Sequence, residues 1–302
     1  MKPSLTQGRL FFFYNRMKRA LFVGLATLDI QYHVDEFPKG NIKAKSAPPN
    51  LFVGGPATNA AVAFAALNEH VNLLTGIGQN SFRNIFTTDF DSCKLSFNDL
   101  LEDQQAPPVL ATVITASNGE RNIFTHNPLD ISTEIDEKEL FDTINPEILM
   151  IDGFYPETAI KICMEAKQRQ IPVVFDGGSW KPHLPELLAL VDYAVCSNNF
   201  LPPLCNNTDD VFHFLSEFNI PHKTITRGCQ SILNQTYSEM HEIVVPVVNV
   251  VDTSGAGDFF HGAFCFYLLE HGNFLTAVEQ AAHFASKTCT FKGTRSWLNY
   301  VG

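Results

Sequence analysis

Residues 249–264 read NVVDTSGAGDFFHGAF. Gly255 and Gly257 allow a tight turn and leave backbone N–H groups uncovered. Phe259 to Leu269 is apolar on nearly every face and contains no proline. This predicts a buried helix beginning at about Gly257. The first N–H groups of such a helix have no partner within it and carry about half a positive charge, a ready site for phosphate. Asp258 then stands at the mouth of an anion hole. A carboxylate there can take a proton from a hydroxyl that attacks a phosphoryl group. Asp is also a preferred helix cap, and the spacing alone leaves that plainer role open.

Two earlier stretches bear on the same site. Residues 53–61, VGGPATNAA, put two glycines before an alanine-rich helix that runs to about Ala66. Glycines let a ligand approach the backbone, and Pro56 suits a first helical turn. The small residues also suit plain packing of a helix on a sheet. Residues 19–30, RALFVGLATLDI, read as a buried first strand ending in a polar turn. Asp29 then faces a site at the strand's carboxyl end, or simply serves the turn.

The middle of the chain is regular. Strands are expected at Ile148–Asp152, Pro172–Asp176, Asp192–Cys196 and Lys223–Thr226, with helices at Pro156–Gln168, Pro182–Leu190 and Asp209–Phe218. Strands alternating with helices imply βαβ units and a mostly parallel sheet, with ligands at the strand carboxyl ends. Asp176 ends one such strand, where it lines a cleft or caps a turn. Val71 to Gly78 reads as a strand and turn. Pro107-Pro108 separates a helical region from a strand at Val109–Ala116. Asn118-Gly119 is a hairpin signal, with 120–124 as the returning strand. The β-branched run Val244–Val251 suits a strand, and Leu275–Cys289 reads as a second C-terminal helix.

DTSGAGDFFHGAF closely resembles the C-terminal signature of the ribokinase-like, or PfkB, carbohydrate kinases. Gly54-Gly55 with Asn59 resembles their N-terminal sugar-binding motif, in the right order and about two hundred residues away. The resemblance spans about Arg19 to Thr294. It implies a ribokinase-like three-layer α/β/α domain over residues 17–302, with a mostly parallel central sheet and a small β lid from about 31–52 and 109–126. It implies ATP-dependent phosphorylation of a sugar hydroxymethyl group, with Mg2+ held largely by phosphates and water. In that family the acid matching Asp258 is the general base, and the amides of Gly255, Ala256 and Gly257 hold the transferring phosphate. Asp29, Gly54, Gly55 and Asn59 match sugar-binding positions. Arg121 resembles a hairpin arginine that points at substrate, and reads equally as a solvated side chain. Thr226, Gly228 and Gly293 match positions on the ATP side. Asp252 matches the acid that helps bind K+ in members with a potassium site.

The sequence also departs from the pattern. Phe259 follows the catalytic-type Asp where Thr or Ser is usual. Residues 78–83, GQNSFR, lack the Asp and the last Gly of Gly-x-Asp-x-x-Gly. Ser231 replaces a glycine after Gly228. Residues 196–201, CSNNFL, lack the Glu of Asn-x-x-Glu, which tunes magnesium and phosphate use. Residues 54–58, GGPAT, and 260–263, FHGA, look closest to ketohexokinase-like and sulfofructose-kinase-like members, so a ketose is favoured over ribose or a nucleoside. The other readings are a sugar- or nucleotide-binding regulator without turnover, and a nucleoside or vitamin kinase of the same superfamily.

Composition narrows the classes. A formal net charge of −11 over 302 residues opposes nonspecific nucleic-acid binding, which needs a basic face. Seven scattered cysteines without C-x-x-C spacing fit reduced thiols in a cytoplasmic protein, not a disulfide framework or structural zinc. No P-loop and no protein-kinase motif set occurs. Residues 1–16 read as an N-terminal extension, either not native, with Met17 as the natural start, or a small contact element. Their apolar run, Phe11 to Tyr14, is too short to span a membrane, and no membrane partner is expected. An apolar lid edge could pair two subunits as a homodimer. His261 and His283 fall in apolar helices and read as core or cleft-edge residues.

Overall fold

The run expected to form one strand from Arg19 to Ile30 is two strands in two different sheets. The computed structural model describes residues 17–67, 70–118, 120–126 and 134–300. In it β1 (Ala20–Val23) ends before Gly24, and β2 (Thr27–Val34) begins after a three-residue break. A Cβ at Gly24 would overlap the Asp152 carboxyl group, so only glycine lets the chain turn out of the first sheet there. Then follow β3 (Asn50–Gly54), α1 (Pro56–Leu67), β4 (Val71–Thr75), α2 (Arg83–Ser92), β5 (Ser96–Asp99), β6 (Val109–Ala116) and β7 (Arg121–His126). The rest runs α3 (Glu137–Ile144), β8 (Ile148–Ile151), α4 (Pro156–Gln168), β9 (Val173–Gly177), α5 (Leu184–Leu188), β10 (Tyr193–Ser197), α6 (Thr208–Glu217), β11 (His222–Arg227), β12 (Gln230–Thr236), β13 (Glu239–Ile243), α7 (Ala256–His271) and α8 (Phe274–Thr288).

The large sheet has the order β13-β12-β11-β10-β9-β8-β1-β4-β5. It is parallel from β5 to β11, and β12 and β13 add an antiparallel edge. Alternation along β1 separates two cores. Ala20 and Phe22 join residues of α1, α2, α7 and α8, while Leu21 and Val23 join residues of α3, α4, α5 and α6. A strand covered on both faces has to be apolar throughout, as β1 and β8 are. Phe22 and Phe64 meet edge-on at 5.7 Å, and each fully buried phenyl ring contributes about 2 kcal/mol.

The small sheet has the order β3-β2-β6-β7. It forms the lid, with β2 parallel to β6 and the outer pairs antiparallel. Its first strand starts at Thr27, earlier than the expected lid boundary at residue 31, and residues 35–49 form no regular element. The expected hairpin strands β6 and β7 pair antiparallel, with Thr115 opposite Arg121.

The strand expected at Val244–Val251 is absent. The chain leaves the sheet after Ile243, and Val247 is fully exposed. β-Branched side chains favour extended backbone, but a strand needs a neighbour to pair with, and Pro246 has no N–H to offer one. The expectations also passed over β5, β12 and β13, which are short or polar.

Helices α1 and α7 cross in close contact. A Cβ on Gly262 would overlap the carbonyl oxygen of Ala60. Gly262→Ala therefore forces the helices apart, with an expected loss of about 3 kcal/mol and a melting temperature lower by roughly 5 °C or more. Calorimetry checks this against Gly257→Ala, whose added methyl meets nothing within 4 Å and which should leave the midpoint unchanged.

Candidate active site

The chain reverses its direction of sheet growth between β1 and β8, so the connections diverge and leave a crevice at their carboxyl ends. Asp152 follows β8 into this crevice and is buried. One carboxylate oxygen accepts from the N–H of Leu25 at 2.8 Å and of Ala57 at 3.3 Å, and the other from Phe154 at 3.0 Å. Asp152 thus ties the break after β1 to the first turn of α1. Burial pushes its carboxyl up to about 6, against the pull of these hydrogen bonds. Gly54 and Gly55 lie just before α1. A Cβ at Gly54 would sit 2.8 Å from Asp29 Oδ2, and Gly55 has φ +105. Asp29 lies on lid strand β2, not in a turn, and accepts from Thr27 Oγ1 at 2.9 Å. Burial raises its pKa, while the Thr27 bond and the Arg295 charge oppose the rise.

The opening motif turns at Gly255, φ +75, and α7 begins at Ala256, one residue before the expected start. The N–H of Ala256 donates to Thr253 O at 3.2 Å and that of Phe259 to Gly255 O at 2.8 Å. Among the described residues those of Gly257 and Asp258 have no such carbonyl partner, and Gly257 is exposed. Asp258 is no side-chain cap; its Oδ2 accepts from Asn59 Nδ2 at 2.8 Å. Asn59 Oδ1 accepts from Arg295 Nη1 at 2.9 Å. Arg295 in turn donates to Val53 O at 2.9 Å and pairs with Asp89 at 3.1 Å. Burial, helped by the nearby Asp176 charge, pushes the Asp258 carboxyl up to about 7; the Asn59 hydrogen bond opposes this.

Asp176, at the end of β9, lies 3.5 Å from His261 Nε2. The same nitrogen is 3.0 Å from Val195 O, and Nδ1 is 2.7 Å from Gly257 O. His261 thus belongs to the core beneath the site, whereas His283, also expected in the core or at the cleft edge, is exposed on α8. Lys181 sits 3.4 Å from Asp152 O and over the Phe154 ring, and burial lowers its pKa. Thr226 is on β11, where its carbonyl accepts from Asn198 N at 2.9 Å, and Gly228 follows in a turn. Asp252 clasps two loops, accepting from Ser254 N and Gly293 N, each at 2.9 Å. Arg121 opens β7, but its side chain and residues 1–16 lie outside the described residues.

The structure therefore joins Asp29, Gly54, Gly55, Asn59, Gly255 and Asp258 through Arg295 and the α1–α7 contact. Asp89, Arg295, Asp152 and Lys181 escaped the sequence reading. Arg295 lies 206 residues from Asp89 and 236 from Asn59, and such pairs leave no trace in spacing. Among the described residues no group of three or more His, Cys, Asp or Glu could hold a metal ion. No helix among the described residues is long and apolar enough to cross a membrane.

A model of the pfkB family of carbohydrate kinases matches residues 17–299. The ATP-dependent ribose-1-phosphate kinase of Halopiger xanaduensis is 24% identical over 287 residues, covering 93% of this chain and 95% of that protein. The deoxyribokinase of Salmonella typhimurium is 24% identical over 290 residues, covering 91% and 93%. Among solved structures, Arabidopsis thaliana ribokinase complexed with ribose and ATP superposes with a TM-score of 0.78 at 20% identity, over 92% of this chain and 94% of that one. Thermotoga maritima ribokinase gives 0.76 at 22% identity, over 95% and 96%. These structural likenesses establish a ribokinase fold.

In an unfolded chain Asp258 and Asp152 ionise at about 3.9. Folded, they keep their protons to about 7 and about 6. The folded protein binds more protons in between, so both acids cost stability as pH rises from about 4 towards 7. Asp258→Asn should therefore melt a few degrees above wild type at pH 8. The difference should vanish below about pH 4, where both states are protonated; thermal melts across pH measure it.

Proposed function

The chain belongs to the pfkB family of carbohydrate kinases, and we propose that Asp258 is the general base of its phosphoryl transfer and a pentose its acceptor. It is an ATP-dependent carbohydrate kinase with the ribokinase fold. The observation that carries the assignment is the place of Asp258. Its carboxylate stands in the first turn of α7, beside free N–H groups, and is held by Asn59 from the helix that follows the Gly-Gly turn.

In this reading Asp29, Gly54, Gly55 and Asn59 line the acceptor side, and Arg121, at the start of lid strand β7, is a further candidate for it. The lid covers the sugar and keeps water from the phosphoryl group. Asp258 Oδ1 takes the proton of the acceptor hydroxyl. That oxygen forms a bond to the γ-phosphorus as the bond from phosphorus to the β–γ bridging oxygen breaks, and ADP leaves. Negative charge on the phosphoryl oxygens meets the amides of the Gly255–Ala256–Gly257 turn, those of Gly257 and Asp258 foremost, and the α7 dipole. Magnesium, when bound with ATP, would neutralise phosphate charge. Thr226, Gly228 and Gly293 lie on the nucleotide side, and Lys181 offers a cation near the strand ends. The Asp252 clasp orders the loops beside α7, where K+ would bind if it is needed.

The ketose expectation rested on residues 54–58 and 260–263. Ala57, Thr58, Phe260, His261 and Ala263 are buried, and Gly262 packs on Ala60. Burial gives these residues a packing role and adds no support for a ketose. The named relatives act on ribose, deoxyribose or ribose 1-phosphate, which supports a pentose. Leu51, Ile123 and Phe124 are exposed on the lid, where a homodimer contact would fall.

Magnesium-ATP turnover against ribose, deoxyribose, ribose 1-phosphate, ketoses and nucleosides tests the assignment. A pentose or its phosphate should be the best acceptor. Asp258→Asn should lower kcat by about a hundredfold or more, the contribution of a positioned base. Sugar binding without turnover on any of these acceptors would favour a regulator, and equal rates for wild type and variant would remove Asp258 from the chemistry.

A further inference from the structure

We propose that Arg295, held by Asp89, is a positioning residue for the base. It fixes the Asn59 side-chain amide with its NH2 group towards Asp258. The inference rests on Asp258 being the base, and deepens that assignment.

The chemistry of the donors sets the orientation. A guanidinium carries only donors, so the Asn59 atom 2.9 Å from Arg295 Nη1 has to be the carbonyl oxygen. An ionised carboxylate carries only acceptors, so the Asn59 atom 2.8 Å from Asp258 Oδ2 has to be the nitrogen. The Arg295 contact imposes this orientation whatever the charge on Asp258, whereas the carboxyl group imposes it only when ionised, since a protonated Asp258 can instead donate to the amide oxygen. Arg295 is itself locked. Its Nε lies 3.2 Å from both Asp89 oxygens, Nη2 is 3.1 Å from Asp89 Oδ2 and 2.9 Å from Val53 O, and Nη1 also meets Thr294 O at 3.0 Å. Asn59 is buried, so no water replaces a lost partner cheaply.

The chain of contacts leaves Asp258 Oδ2 occupied and directs Oδ1 to the acceptor. Without Arg295 the amide loses its anchor, turns, and stops donating reliably to the carboxylate. The groups that face Asp258 are then Asp176 from β9, Asp152 from β8 and His261 one turn along α7. Arg295 faces Asp89 on α2 and Asp29 on β2. Loss of the Asn59 donor leaves burial and two negative neighbours unopposed on that side, so Asp258 should hold its proton to higher pH.

The test follows the Asp258 carboxyl by carbon-13 NMR in the full chain, its signal assigned by its loss in Asp258→Asn. Arg295→Met should raise the titration midpoint by about half a pH unit or more. Asn59→Leu should do the same, and the double variant should exceed neither by much, because both remove one contact. Arg295→Lys, which keeps a donor, should recover most of the wild-type midpoint. With an accepted sugar, Arg295→Met should lower kcat about tenfold, shift the acid limb of the pH profile upwards, and leave the KM for ATP within about twofold. An unchanged midpoint in Arg295→Met, or effects that add in the double variant as a direct charge effect would, overturns the proposal. If Arg295→Met does not fold, Asp89→Asn takes its place, with the same direction expected and no shift counting against. Turnover of no acceptor would overturn the kinase assignment of the site, while the NMR titration would still decide the role of Arg295.

Discussion

The site depends on the close crossing of α1 and α7. Gly262 lies one turn beyond Asp258, and Ala60 is the residue after Asn59. Because a side chain at Gly262 would collide with the Ala60 carbonyl, the helices approach to backbone contact there. That approach brings Asn59 within 2.8 Å of Asp258. Two motifs about two hundred residues apart become one site through a missing methyl group. The alanines around Asn59 serve the same end, since larger side chains would hold the helices apart.

The same packing makes the site costly to the fold. Asp152, Asp176 and Asp258 come from the ends of β8 and β9 and the start of α7; the charges of Asp176 and Asp152 disfavour that of Asp258, and the Asp176 charge disfavours that of Asp152. Asp152 offsets its burial with three backbone N–H groups. Among the described residues Asp258 has a single side-chain donor, Asn59. A carboxylate with only one oxygen held by the protein is poorly stabilised and correspondingly ready to accept a proton. Natural sites often keep such destabilised groups where chemistry needs them.

Resemblance in sequence mixed two kinds of residue that the structure separates. Phe260, His261 and Gly262 look like part of a substrate signature, yet they fill the space between α7, β10 and α1. Asp29 looked like the end of a strand, yet it stands on the lid sheet beside Gly54. The lid strand β2 thereby carries Asp29 straight from the break after β1 to a place beside Gly54, so the lid and the floor of the crevice share one covalent path.

Local chemistry determined much of this protein. Alternation of apolar strands with helices was legible from Ile148 to Thr226, because buried parallel strands and amphipathic helices leave periodic patterns. The helix after Gly257, the hairpin at Asn118 and the glycine turns could be read for the same reason, since each follows from a few neighbouring residues. The tertiary structure alone decided where the first apolar run broke, that Val244–Val251 would find no strand partner, and that Asp89, Arg295, Asn59 and Asp258 would form one line. Those outcomes depend on which distant backbone lies alongside, and contacts between residues some two hundred positions apart impose no period and no spacing on the chain that makes them.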